Sequence, residues 1–272
     1  MTQARLTDRS ALFRQRARAL RAPEFFLHAL AAEEIEDRLR MVNKSFTAPA
    51  LITGFPDFWQ GKYPDATVVA DDNTLALRPG AHDLVIHALC LHWADDPVGQ
   101  LVQVRRALCP DGLMLAVLFG GGSLQELRAA LAQAEADVTG GLSPRVLPMG
   151  DIRDLGALLQ RADFALPVAD RLPLDLRYDD ALALMRELRA MGETNAMLAR
   201  PRGALRRDVL ARACEIYARD FAHPEGGIRA SAEMVFLTGW APDPGQPKPL
   251  RPGSATTRLA DALGTLGNPL ED

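Results

Sequence analysis

Residues 83 to 119 constrain the fold more than any other part of the chain. DLVIHALCL (83–91) is apolar almost throughout, Pro97 opens a helix that runs to about Leu108, Pro110-Asp111-Gly112 is a turn, and LMLAVLF (113–119) is a second apolar run. Continuous apolar runs of this kind suit strands that are covered on both faces. Parallel neighbours need a crossover and the helix between the two runs supplies one, so strand, helix, tight turn and strand in this order imply an α/β protein with a parallel sheet.

The remaining elements fit around that unit. Phe26, Leu27, Leu30, Ile35, Leu39 and Val42 recur at helical spacing after Pro23, which predicts an amphipathic helix over about 24–43. Short apolar runs at 50–53, ending at Gly54, and at 67–70 predict two more strands. Ser123 is placed to cap a helix to about Val138, followed by a proline- and glycine-rich loop at 139–150. A helix at 151–161, a strand at about 166–177, helices at about 179–191 and 203–222 and a strand at 232–240 complete the series. Five prolines between 242 and 252 make the last segment an extended arm. The expected organisation is an N-terminal basic arm and helix (1–48), a main domain (49–241) with a helical insertion at about 178–224, and a C-terminal tail (242–272).

Composition removes several function classes. A net charge of −4 argues against binding a nucleic-acid backbone. No apolar run approaches the roughly 18 residues of a membrane helix, and the N-terminus has no apolar signal core, so a cytoplasmic protein is expected. Cys90, Cys109 and Cys214 are too far apart for a CxxC site or a disulfide framework. His82, His87 and His92 fall every five positions, which on a strand puts neighbours on opposite faces, so no metal site is read from them. The arginines at 5, 9, 14, 16, 18 and 21 read as a solvated helix face, or alternatively as an arm for an acidic partner or anionic lipid in peripheral association.

The run VADDNTLALRPGAHDLVIHALCLHWADDP (69–97), followed by LCPDGLMLAVLFGG (108–121), resembles the centre of a class I S-adenosylmethionine-dependent methyltransferase. More narrowly, the chain resembles the bacterial branch of the methyltransferase-like assembly factors of respiratory complex I. The resemblance is carried by FLHALAAEEIEDRL (26–39), LHWADD (91–96), FGGGSLQELR (119–128), GGLSPRV (140–146), DLGALLQRADF (154–164), LRAMGETNA (188–196) and KPLRPGSATTRLADALG (248–264). It implies a Rossmann-like sheet, mostly parallel with a C-terminal antiparallel strand. It implies S-adenosylmethionine as cofactor and a complex I subunit or assembly intermediate as partner. The mitochondrial branch of the family is associated with arginine hydroxylation. A small-molecule O-methyltransferase of the biotin-synthesis type shares the Leu-His-Trp region and is a further alternative.

Against that resemblance the stretch LITGFPDFWQGKYPDATVV (51–69) is short. The family pattern places strand, glycine-rich turn, helix, second strand, second helix and third strand here, and two βαβ units need about 60 residues. Only 19 positions are present, so one strand and one helix are missing and the cofactor site is expected to be degenerate. Gly54 stands alone where the family has three glycines for the methionine end of the cofactor. Asp71 and Asp72 read either as adenine contacts or as a solvated loop. His92 and Trp93 follow the fourth strand of the family pattern, at the sheet edge where ligands bind, and Trp93 reads equally as packing. On the substrate or partner side the resemblance offers Gly121, Gly192, Glu193 and Asn195. Gly192 reads also as a helix C-cap and Gly121 as a close turn. No arrangement of residues identifies a catalytic acid or base.

Overall fold

Strands β1 (Pro49–Thr53), β2 (Thr67–Val69), β3 (His82–Ala88) and β4 (Leu108–Phe119) run parallel, and β5 (Ala165–Tyr178) and β6 (Ile228–Trp240) are antiparallel to their neighbours, in the order β2-β1-β3-β4-β6-β5. This computed structural model describes residues 5–247. The strong motif at 248–264 therefore lies outside the described residues.

Side chains of successive strand residues point to opposite faces, and both faces are covered. Ala50, Ile52, Val85, Met114 and Leu237 pack against Leu101 and Val104 of α4 (Pro97–Ala107) and Leu159 of α6 (Ile152–Arg161). Leu51, Ile86, Leu115 and Phe236 face the other way, against Ala31 and Ile35 of α2 (Phe26–Met41) and Trp59 of α3 (Pro56–Lys62). A third cluster joins α5 (Gln125–Thr139), α7 (Ala181–Ala190) and α8 (Arg207–Asp220) to the first residues of β6. The two-sided burial explains why the central strands β1, β3 and β4 read as apolar runs, whereas the edge strand β5 has no fully buried residue.

The run that resembles the family's third strand is β2, and it pairs directly with β1: Ala50 lies opposite Thr67 and Ile52 opposite Val69. Residues 54–66 and the seven-residue α3 make the whole crossover, close to the minimum of about a dozen residues that a parallel connection requires. No described strand lies between them.

Three local expectations are corrected. The apolar run 83–91 is not all strand. Pairing to both neighbours ends at Ala88, Leu89 enters the left-handed region at φ 47°, and Leu91–Trp93 is a 3-10 turn. Leu89, Cys90 and Leu91 stay buried, so a hydrophobic pattern cannot tell this turn from a strand. Ser123 does not cap α5. Its hydroxyl donates to the Glu233 carbonyl and accepts from the Glu233 amide, tying β4 to β6. Finally, the arginine-rich segment is a solvated helix face only in part: Arg14, Arg18 and Arg21 are exposed, but Arg16 is not. Asp8 caps a helix α1 (Arg9–Ala19) through the Ala11 amide, and Arg16 on that helix is buried.

Candidate functional site

Gly54, Asp71, Asp72, His92 and Trp93 follow β1, β2 and β3, and the segment after α7 brings Gly192 and Glu193 to them; a side chain that was not predicted, Arg16, lies among them. Arg9 and Arg16 are seven positions apart, so two turns of α1 place them on one face. Arg16 Nη1 donates to Asp71 Oδ1 at 2.8 Å, with side-chain exposures of 4% and 2%. Arg9 adds hydrogen bonds to the Asp71 carbonyl at 2.8 Å and to its Oδ1 at 3.2 Å, and reaches exposed Asp72 at 3.4 Å. Burial pushes the Asp71 carboxyl up, but the Arg16 charge and hydrogen bond outweigh it and bring the pKa down to about 2. The pair is therefore ionised and closed on itself at neutral pH.

Two glycines make room for this arginine. A Cβ on Gly54 would fall 2.2 Å from Arg16 Cζ. A Cβ on Gly192 would fall 2.8 Å from Phe55 Cζ and 3.3 Å from Arg16 Cγ. Gly192 also has φ +79° and follows α7, with the Glu193 amide donating to the Leu188 carbonyl at 2.9 Å, so it is a helix C-cap and a packing slot at once.

Glu193 is the second centre. Its Oε2 accepts from Trp93 Nε1 at 2.9 Å and pairs with His92 Nε2 at 3.2 Å, and its side chain is 7% exposed. Burial would raise the Glu193 pKa, but His92, Arg16 and the Trp93 donor lower it overall. Its Oε1 has no hydrogen-bond partner among the described residues, and neither has Arg16 Nε. Asn195 Nδ2 donates to the Pro144 carbonyl at 2.8 Å and its carbonyl accepts from Gln15 of α1 at 2.9 Å. Gly121 stands apart, its amide bonded to the Gly150 carbonyl at 2.9 Å. The N-terminal segment is stitched over the whole site: Thr7 Oγ1 donates to the Trp93 carbonyl at 2.8 Å and the Leu6 amide to Asp95 Oδ1 at 2.8 Å.

Behind Asp71 a buried polar chain crosses the sheet edge. Gln100 donates to the Asp72 carbonyl at 3.0 Å and accepts from His87 Nε2 at 2.9 Å, while His87 Nδ1 lies 3.3 Å from Cys90 Sγ. Burial lowers the His87 pKa to about 4 and raises that of Cys90 well above the usual thiol value, so both are neutral and the chain is structural. His82, His87 and His92 take separate partners, and among the described residues no cluster of metal-ligating side chains forms.

A cavity of about 410 Å³ opens on the other side of Glu193. Its apolar walls come from α5, α7, β5 and β6, for example Leu127, Leu176, Leu184 and Ala232, and Trp93, Glu193 and Asn195 also line it. Gly54, Asp71, Asp72 and His92 are not part of its lining. The volume is within the range of small-molecule and side-chain pockets, roughly 300–1,000 Å³.

S-adenosylmethionine is the cofactor that a methyltransferase domain implies, and the residues present do not fit it in this conformation. The backbone at Gly54, which should approach the methionine end, is covered by the Arg16 guanidinium, and Asp71 has spent its carboxylate on two arginines. Sequence reasoning missed Arg16 because an arginine among arginines has no periodic signature. The spacing of Arg9 and Arg16 and the Asp71-Asp72 pair were the signals at hand.

Comparison with known proteins agrees with the fold. Residues 30–116 match the methyltransferase domain family. The mitochondrial arginine-hydroxylase NDUFAF5 of Danio rerio is 35% identical over 75% of this chain and 63% of its own length, and that of Homo sapiens is 32% identical over 84% and 65%. The malonyl-[acyl-carrier protein] O-methyltransferase of Xylella fastidiosa is 36% identical over 66% of this chain and 58% of its own. The chain thus spans a little under two thirds of the two animal relatives. No helix among the described residues is long and apolar enough to cross a membrane. With its mostly parallel sheet, its methyltransferase-domain match and these relatives, the chain is a class I methyltransferase-like relative of the arginine-hydroxylase NDUFAF5.

Proposed function

We propose that this chain serves the assembly of respiratory complex I by binding or modifying a complex I subunit, and that the cofactor end of its fold is kept shut. The observation that carries the second half is the Arg16 guanidinium lying against Gly54 and paired with Asp71 at 2.8 Å. A buried ion pair of this kind has already met the desolvation cost of both charges, and separating it leaves one charge unpaired at about 3–5 kcal/mol. A ligand must overcome that cost to enter. The first half rests on the relatives and on the family resemblance. The name of those relatives, arginine-hydroxylase, points to an arginine as the side chain acted on.

A second reading is favoured by one feature. Asp71 and Asp72 stand where the resemblance puts the adenine contact, and both are held by α1, which is tied down by side-chain and short backbone contacts. In that reading α1 swings away and the protein is an S-adenosylmethionine enzyme. Calorimetric titration of the whole chain with S-adenosylmethionine and its demethylated product separates the two. The closed reading expects no heat up to millimolar ligand from folded protein. A micromolar Kd that is lost on Asp71→Ala with Asp72→Ala would replace it with the second. In parallel, a deletion strain with undiminished complex I activity and abundance would remove the assembly role.

A further inference from the structure

We infer that the 410 Å³ cavity is the docking site for the target segment, that Glu193 receives its cationic side chain, and that Arg18 and Arg189 select an acidic residue beside that side chain. This rests on the proposed reading that the partner is a protein with a target arginine, and adds which residues read it and what must flank it.

The cavity lining includes a carboxylate with spare capacity. Glu193 is fixed by Trp93 Nε1 and His92 through Oε2 alone, it is nine-tenths buried, and Oε1 has no hydrogen-bond partner among the described residues. A buried carboxylate oxygen without a donor is costly, so a ligand that brings N–H groups to it gains more than a surface pair would. Most of the remaining lining is apolar, as the methylene stem of a long cationic side chain requires.

The same lining also carries positive charge. Arg18, Arg145, Arg189 and Arg200 all line the cavity. Arg145 is neutralised by Glu135 and Arg200 by Asp8. Arg18 and Arg189 have no carboxylate partner among the described residues; Arg18 meets only the Thr194 hydroxyl, at 3.3 Å. Desolvation and the neighbouring charges of Arg189 and Arg21 lower the Arg18 pKa, which marks a site of uncompensated positive charge. A lone cation entering a cavity that also carries this pair is repelled. A segment that carries an acidic residue next to its cation satisfies both charges together, whereas a simple anion would leave Glu193 unserved.

The test uses fluorescent 15-residue peptides with a central arginine and either glutamate or lysine on each side, plus a citrulline version of the first, measured by anisotropy against the whole chain at low salt. The glutamate-flanked arginine peptide is expected to bind about five- to tenfold tighter than the lysine-flanked one, as two partly exposed ion pairs would give. The order should invert in the Arg18→Glu/Arg189→Glu double variant, whose exposed positions leave the fold intact. Glu193→Gln should abolish the preference for arginine over citrulline and retain the preference for flanking glutamate. Equal affinity for the two flanks, an order that does not invert, or arginine preference surviving in E193Q would each overturn the inference. Wild-type protein that binds no peptide, or that binds decanoate instead, would also overturn it. Those results leave the assembly role standing if the deletion strain still loses complex I, so the two failures are distinguishable.

Discussion

Arg16 and Asp71 are 55 residues apart in sequence and 2.8 Å apart in space, and Gly54 is the residue that lets them meet. One comes from a helix that precedes the sheet and the other from the loop after β2, a strand set beside β1 by the short crossover. The contraction of the first half of the sheet and the closure of the cofactor end are thus the same structural event.

Breaking this pair from one side should be costly. Asp71→Asn leaves the Arg16 guanidinium buried with a neutral neighbour, and a loss of about 3–5 kcal/mol is expected in urea unfolding. Replacing both residues, Arg16→Met with Asp71→Leu, should cost far less than the sum of the single changes. Additive losses would show that the two residues are not energetically coupled.

Gly54→Ala should act through Arg16. Its Cβ would stand 2.2 Å from Cζ, so the guanidinium has to leave Asp71. In a double-mutant cycle with Arg16→Ala, the alanine at 54 should become nearly neutral, with a coupling of about 1–3 kcal/mol. An unchanged cost in the Arg16→Ala background would place the strain elsewhere.

Gly192→Ala combines two penalties, a left-handed backbone at φ +79° and a contact of 2.8 Å with the buried Phe55 ring. Together these should remove about 2–4 kcal/mol. Calorimetry should show the melting temperature falling by several degrees, roughly 2–4 °C for each kcal/mol.

Stability should fall with acidity in two separate windows. His28 accepts from Trp59 Nε1 at 3.0 Å and, like His87, is buried, which lowers both pKa values to about 4. An unfolded histidine titrates near 6.5, so the unfolded state takes up more protons between those values. Stability from this source is complete above pH 6.5 and is lost as pH drops toward 4, at a slope of up to about 1.4 kcal/mol per pH unit for each histidine. Asp71, lowered from 3.8 to about 2, contributes fully above the ordinary carboxylate range and loses that contribution progressively as pH falls from there to about 2. Urea midpoints between pH 7 and 4 that stay flat would contradict the histidine part.

Much of the fold was legible from the chain. Proline signals and apolar runs located β1, β3, β4 and β6 to within a few residues, because burial leaves a continuous hydrophobic record; Pro110-Asp111-Gly112 proved to be an irregularity inside β4, and the short α3 was not read. The missing unit before β2 followed from counting residues. Three features were not legible for physical reasons. The turn at Leu89 is as buried as the strand it ends, Ser123 found a partner 110 positions away and not its own helix, and Arg16 looks like its exposed neighbours until its partner is known.

The sequence by itself determined the α/β class, the shortened first half and the residues from which a site could be made, since these follow from local hydrophobic pattern and chain length. Only the tertiary structure decided how those residues divide. Gly54, Asp71 and Gly192 surround Arg16, His92 and Trp93 hold Glu193, and Glu193 opens into a cavity that the other group does not reach. Pairings of this kind bring together residues far apart in the chain. They depend on which charges are buried together, and no local pattern records that.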